Sequence, residues 1–140
     1  MARRAPRPRR TRPVPATCPC GLPGGLDGCC GRLHRGEERA ATAEQLMRSR
    51  FSAFAVGDEN YLRRSWHPRT RPASVGLDPA TRWTRLEILA VAGGSAFHTE
   101  GTVEFRAHYR LRGERGELTE RSRFVRHGGD WVYLDGETST

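Results

Sequence analysis

Cys18, Cys20, Cys29 and Cys30 stand within thirteen residues, spaced as C-x-C, eight intervening residues, then C-C. The chain has four cysteines in all, so none is left over. Four thiolates this close in sequence suit one tetrahedral zinc ion. The segment between the pairs carries Gly21, Gly24, Gly25 and Gly28, and glycines let a short loop turn back without Cβ clashes. With four sulfur ligands the ion has no open position for a substrate water, so one structural zinc per chain is expected. The competing chemistry is a pair of disulfides, which belongs to oxidising compartments. No apolar segment follows Arg3-Arg4, and no stretch approaches membrane-spanning length. The expectation is therefore a cytoplasmic protein with no membrane partner, where clustered cysteines hold metal. His34, four residues past Cys30, carries ligand chemistry as well but reads as a linker residue.

A second set of residues suits a pocket. Leu118, Glu120, Ser122 and Phe124 alternate on one face of a strand pattern. Leu118 and Phe124 imply that this face points inward, and Glu120 with it. Arg50 falls between Met47 and Phe54 on the apolar side of a helix pattern. An unpaired buried charge is costly, so the expectation is a structural Arg50–Glu120 ion pair. The alternative is acid–base work on a small ligand by Glu120 and His67, with Trp66 at the cavity mouth. No Ser-His-Asp or Cys-His arrangement is readable, and Gly93-Gly94 lacks the strand-to-helix context of a phosphate loop. The aromatics Phe51, Phe54, Trp66, Phe105, Tyr109, Trp131 and Tyr133 read as core.

These residues need elements to position them. Thr42 and Gln45 match a capping box. Leu46, Met47, Phe51 and Phe54 follow at helical spacing, Arg48 and Ser52 fall on the other side, and Gly57 ends the helix. Asp58 caps a shorter helix from Glu59 to Trp66, closed by His67-Pro68. Residues 69–81 read as loop, with one helical turn near Asp78–Trp83. The period then changes to two: a strand at Arg85–Val91, another at Gly101–Arg112, a turn at Gly113–Gly116, a strand at Leu118–Arg126 and a last one at Trp131–Leu134. Two helices followed by an antiparallel meander predict an α+β domain with helices on one sheet face. The expected organisation is a tail at 1–17, a knuckle at 18–31, a linker at 32–41, the α+β domain at 42–136 and a tail at 137–140.

Charge is unevenly spread. Of the net +8, residues 1–17 carry +6, as six arginines and no acid; the remaining 123 residues carry +2. With Pro6, Pro8, Pro13 and Pro15 this tail is expected to be disordered. It supports nonspecific phosphate contact with nucleic acid. Every one of the 24 basic side chains is arginine, which reads as the codon bias of a GC-rich genome.

The runs Met47–Phe54, Tyr61-Leu62, Trp66-His67-Pro68, Gly101–Phe105, Glu120–Phe124 and Trp131-Val132-Tyr133 resemble the YchJ-type family of bacterial proteins. The cysteine spacing resembles the SEC-C motif, the zinc knuckle named from the C-terminus of the SecA translocation ATPase. The resemblance implies a cone-shaped fold similar to nuclear transport factor 2, a fold that hosts enzymes, ligand binders and interaction domains alike. Two departures stand out: the usual SEC-C loop is lysine-rich and aromatic, whereas this one is rich in Gly, Pro and Leu, and no second SEC-C motif occurs toward Thr140. The expected function is a zinc-containing, non-enzymatic interaction module that docks on protein-export or translation machinery. The alternative is a small-molecule binder or lyase/isomerase built around a cone pocket of Arg50, Trp66, His67, Glu120 and Ser122.

Overall fold

The structure is a computed structural model and describes residues 17–139; the expected disorder of the N-terminal tail concerns residues outside this range, apart from Thr17. The chain forms a 3-10 turn at Leu26–Gly28, helices α1 (Cys30–His34), α2 (Ala43–Val56) and α3 (Glu59–Arg64), and strands β1 (Thr81–Gly93), β2 (Glu100–Leu111), β3 (Glu114–His127) and β4 (Asp130–Ser139). The strands pair antiparallel in the order β1-β2-β3-β4, with irregularities at Trp83/Arg85, Ile88/Ala90 and Arg123/Phe124. Such bulges bend and twist a sheet, and this one wraps α2. Among the described residues no helix is long and apolar enough to cross a membrane.

Helix α2 starts where a capping box directs it. Thr42 Oγ1 accepts from Gln45 N (3.1 Å), and Gln45 Oε1 accepts from Ala41 N (2.7 Å). Gly57, in the left-handed region, closes it. One side of α2 lies on the sheet, where Ala43, Leu46, Met47 and Phe51 meet Leu86, Val103, Phe105, Ala107, Phe124 and Trp131. Its other side is covered as well, by Leu33 of α1 and by Tyr61 and Leu62 of α3, which pack on Ala53. Ser49 and Ser52 are fully buried there. The polar face expected at Ser52 is therefore a second interface.

Several boundaries differ from the sequence reading. Arg32, Leu33 and His34, read as linker, belong to α1, because Leu33 has apolar partners on α2 and α3. Trp66 lies beyond α3 and bridges to Tyr133 of β4. Thr81–Trp83 is strand rather than a helical turn, held by pairing with Leu111–Tyr109. Residues 137–139, read as tail, finish β4 opposite Arg121–Thr119. The β2–β3 turn is tighter than Gly113–Gly116: Arg112 (φ 51°) and Gly113 (φ 84°) form it alone, the two-residue geometry that matches strand twist.

The β1–β2 turn anchors the start of α2, through Ala43 N donating to Gly94 O at 2.9 Å. Gly101 makes this possible. A Cβ there would sit 2.5 Å from the Gly94 backbone, which has no flexible atoms to give way. Gly101→Ala is expected to cost at least the ~1–3 kcal/mol of overpacking, read as a lowered denaturation midpoint. An unchanged midpoint would show that the contact is not needed.

Candidate functional site

The cysteines come together because the chain folds back twice. Cys18 N donates to Gly24 O (2.7 Å) and Gly21 N to Cys18 O (2.9 Å), closing the loop that carries the first pair. The 3-10 turn then delivers Cys29 and Cys30 at the start of α1. Cys18, Cys20 and Cys30 are buried and Cys29 half-buried. All four are free thiols. Cys20 and Cys29 Sγ lie 3.8 Å apart, and all four sulfurs lie within 4.8 Å of one another. A disulfide needs about 2.05 Å; tetrahedral zinc–sulfur bonds of about 2.3 Å separate their sulfurs by roughly 3.8 Å. The four residues thus fit a metal ion held by thiolates.

The thiols compete for charge. Hydrogen bonding from Cys20 and Cys30, with help from Ser52, holds the Cys18 thiol far below its usual range. The same contact with Cys18 pushes Cys20 up to about 11 and Cys30 higher still, burial adding to both. A divalent cation at the centre removes that conflict, and its binding displaces the retained protons. His34 is not a fifth candidate. Its Nε2 lies 2.8 Å from Ser49 O, and its ring packs on Tyr61 at 4.6 Å.

The knuckle is seated on α2. Cys18 Sγ lies 3.4 Å from Ser52 Oγ, and Arg48 Nη1 donates to Cys20 O at 2.7 Å while its Nε reaches Glu44. Ser52 and Arg48, read as the solvent side of the helix, are thus the knuckle's footing. Periodicity alone carries no signal for this, since it reports a polar side and not what covers it.

On the opposite side of α2 a cavity of about 210 Å³ opens between helix and sheet. Arg50, Trp66, Glu120 and Ser122 line it, as does Leu118. His67 does not. Its backbone N donates to Tyr133 O, its Nδ1 accepts from Arg69 N, and its ring faces His127 at 5.0 Å. Partial burial and the neighbouring His127 lower its pKa. The reason is local: the turn before Pro68 swings the imidazole away from the Trp66 side.

The expected Arg50–Glu120 ion pair does not form. Arg50 is 3% exposed. Its Nη1 donates to Leu62 O and Ser65 Oγ, both at 2.8 Å. Its guanidinium lies 4.9 Å from the Trp66 ring centroid and 4.6 Å from that of Tyr133. Aromatic faces attract a cation, most when desolvated, and here they stand where a carboxylate was expected. Burial pulls the Arg50 pKa down to about 10, which leaves it cationic at neutral pH. Glu120 is held separately: its Oε2 accepts from Ser122 Oγ (2.5 Å) and Tyr133 Oη (3.4 Å). Burial first, then the Glu120 charge, raises the Tyr133 pKa.

Sequence reasoning missed Trp83 as a wall of this cavity and assigned Phe51, Phe54, Phe105 and Tyr133 to plain core; all five line it. The sequence reading put Trp83 in a helical turn, whereas its pairing with Tyr109 makes it strand. Tyr133 was readable from its alternation with Trp131.

A four-cysteine knuckle seated on a cone of the nuclear-transport-factor-2 type defines the class. Residues 42–136 match the family model described as "YchJ, middle NTF2-like domain". The chain is 61% identical over 127 residues to a UPF0225 protein of Streptomyces avermitilis, covering 91% of this chain and 88% of that one. It is 62% identical over 120 residues to a UPF0225 protein of Streptomyces coelicolor, covering 86% and 94%. The solution structure of a SEC-C motif containing protein from Rhodopseudomonas palustris aligns with a TM-score of 0.75 at 31% identity, over 89% of this chain and 99% of that one. The crystal structure of a SEC-C motif containing protein from Psychrobacter arcticus aligns at 0.71 and 27%, over 91% and 85%. The chain belongs to the YchJ-type, UPF0225 family.

Proposed function

We propose that this protein binds a small molecule in the cone cavity, with the knuckle as a structural zinc staple on the back of α2. One observation carries the reading: Arg50 and Glu120 both line the cavity yet do not pair with each other. Charged side chains are almost never fully buried unless paired; these two are held by separate supports, which leaves each able to meet a third group. Binding is favoured over catalysis, because His67 faces away and Glu120 is the cavity's one described carboxylate. A zinc-holding set of four thiols needs reducing surroundings, which supports a cytoplasmic setting for this reading. A fragment screen on the zinc-loaded full chain, read on the indole N–H signals of Trp66 and Trp83, tests the binding role. Fragments that move both signals are expected, and a library in which none does so overturns it.

Docking on protein-export or translation machinery, which the SEC-C likeness suggests, would use the knuckle's outer loop. Gly21, Leu22, Pro23 and Gly24 are exposed there, Leu22 by 40%. Cosedimentation with ribosomes and with SecA reads this second role. It requires loss of recovery in Leu22→Ser, and equal recovery of wild type and variant rejects it.

A further inference from the structure

Resting on the small-molecule reading, we infer that the cavity takes an amino carboxylate with a flat apolar side chain, a free aromatic amino acid in its chemistry. The carboxylate sits on Arg50 and the ammonium on Glu120.

Arg50 supplies the cation. Only Nη1 is used by the protein; Nε and Nη2 have no partner among the described residues. The side-chain nitrogens that are both partnerless and sealed from solvent are Arg63 Nε and Trp66 Nε1. Arg50 Nε and Nη2 are not among these sealed atoms, and Arg50 lines the cavity. Two adjacent donors on a planar guanidinium match a carboxylate bidentately. A side chain held 97% out of water by two rings and two hydrogen bonds is a fixed receptor rather than a mobile one.

Glu120 supplies the anion. Both of its hydrogen bonds fall on Oε2, leaving Oε1 without a partner among the described residues. The carboxylate lies over Gly136, where a Cβ would come within 2.5 Å of Oε2. Glycine there gives the carboxylate its seat. A cationic group on the ligand neutralises this charge as the ligand's carboxylate neutralises Arg50. A simple acid would leave Glu120 without a partner and a simple amine would leave Arg50 without one, and for the buried Arg50 an unmatched charge is costly.

The rest of the wall sets the body. Phe51, Phe54, Trp83 and Phe105 line the cavity together with Met47, so a flat apolar group is favoured over a sugar or a phosphate ester. A cavity of about 210 Å³ is of a size for one small molecule such as an amino acid.

Titrations of the zinc-loaded full chain with phenylalanine, phenylpropanoate, phenethylamine and glycine test the assignment, read on the Trp66 and Trp83 indole signals. Phenylalanine is expected to bind at least about tenfold more tightly than phenylpropanoate or phenethylamine, as each lacks one charge-assisted contact. Glycine, without the body, is expected not to saturate. Glu120→Gln is expected to weaken phenylalanine about tenfold and to spare phenylpropanoate. It tests the pairing without removing Arg50, whose loss would also free Leu62 O and Ser65 Oγ. Equal affinity of phenylalanine and phenylpropanoate, or of phenylalanine and phenethylamine, overturns the amino-carboxylate assignment. So does an unchanged phenylalanine affinity in Glu120→Gln. If all four probes fail while other fragments bind the same signals, the ligand class is wrong and the binding role stands; if no fragment binds, both fall.

Discussion

Chelating the metal from the zinc-loaded chain is expected to melt residues 18–34 and leave the four-stranded sheet folded. The knuckle has almost no apolar core beyond its own sulfurs and Leu26, so metal binding supplies its order, an apparent ~10–16 kcal/mol for structural zinc in small peptides. Helix α1 begins at Cys30 and has five residues, too few to persist alone. The cone is a different case. What residues 18–34 cover on α2 is mainly Ser52, Arg48 and the Ser49 carbonyl, polar groups that water can solvate at little cost. The apolar loss is Leu33, which leaves its contacts with Ala53, Tyr61 and Leu62. That loss is bounded by a large-to-small core change, about 2–5 kcal/mol. Amide hydrogen exchange should therefore show residues 18–34 unprotected, β2 and β3 protected, and the melting temperature of the sheet lowered. Cys20→Ser should reproduce the pattern. A single transition in which knuckle and sheet melt together on chelation would refute it, as would purified protein containing no zinc under reducing conditions.

Phe124→Ala is expected to cost about 3–5 kcal/mol, the range for truncating a buried phenylalanine. Phe124 is fully buried, packs edge-on to Tyr133 at 5.8 Å between ring centroids, and belongs to the cluster with Val103 and Trp131. A loss of that size is a large share of a typical domain's ~5–15 kcal/mol. The control is Phe97→Ser. Phe97 is 97% exposed, so its replacement should fall within about 0.5 kcal/mol of wild type. Urea unfolding of the metal-loaded protein compares the two. Equal midpoints would mean that the β3 face carrying Phe124, Ser122 and Glu120 is not the core side of the sheet.

Elements whose signals are local were open to reading. The Thr42 and Gly57 ends of α2 are set by capping chemistry within a few residues. The alternation of Val103, Phe105 and Ala107 needs only one buried sheet face. Strand ends were harder, because pairing rather than propensity extends them: Glu137, Thr138 and Ser139 are strand because Arg121, Glu120 and Thr119 lie opposite. Trp83 was lost because it was read into a helical turn near Asp78–Trp83, whereas pairing with Tyr109 makes it strand. His67 had no periodicity to orient it, sitting at a turn before Pro68.

By itself, then, the sequence determined the four-cysteine cluster, the α+β order and the inward direction of Arg50, Glu120 and Ser122, since each follows from spacing along one segment. Only the tertiary structure decided what those groups meet. Arg50 is held by Leu62 and Ser65 from the α3 end, Trp66 from the turn beyond it and Tyr133 from β4. These are partners from three segments, and no single periodicity brings them together. Likewise Ser52 is buried because the knuckle folds back on α2. Amphipathic reading assumes one core per helix, and this helix has an interface on both sides.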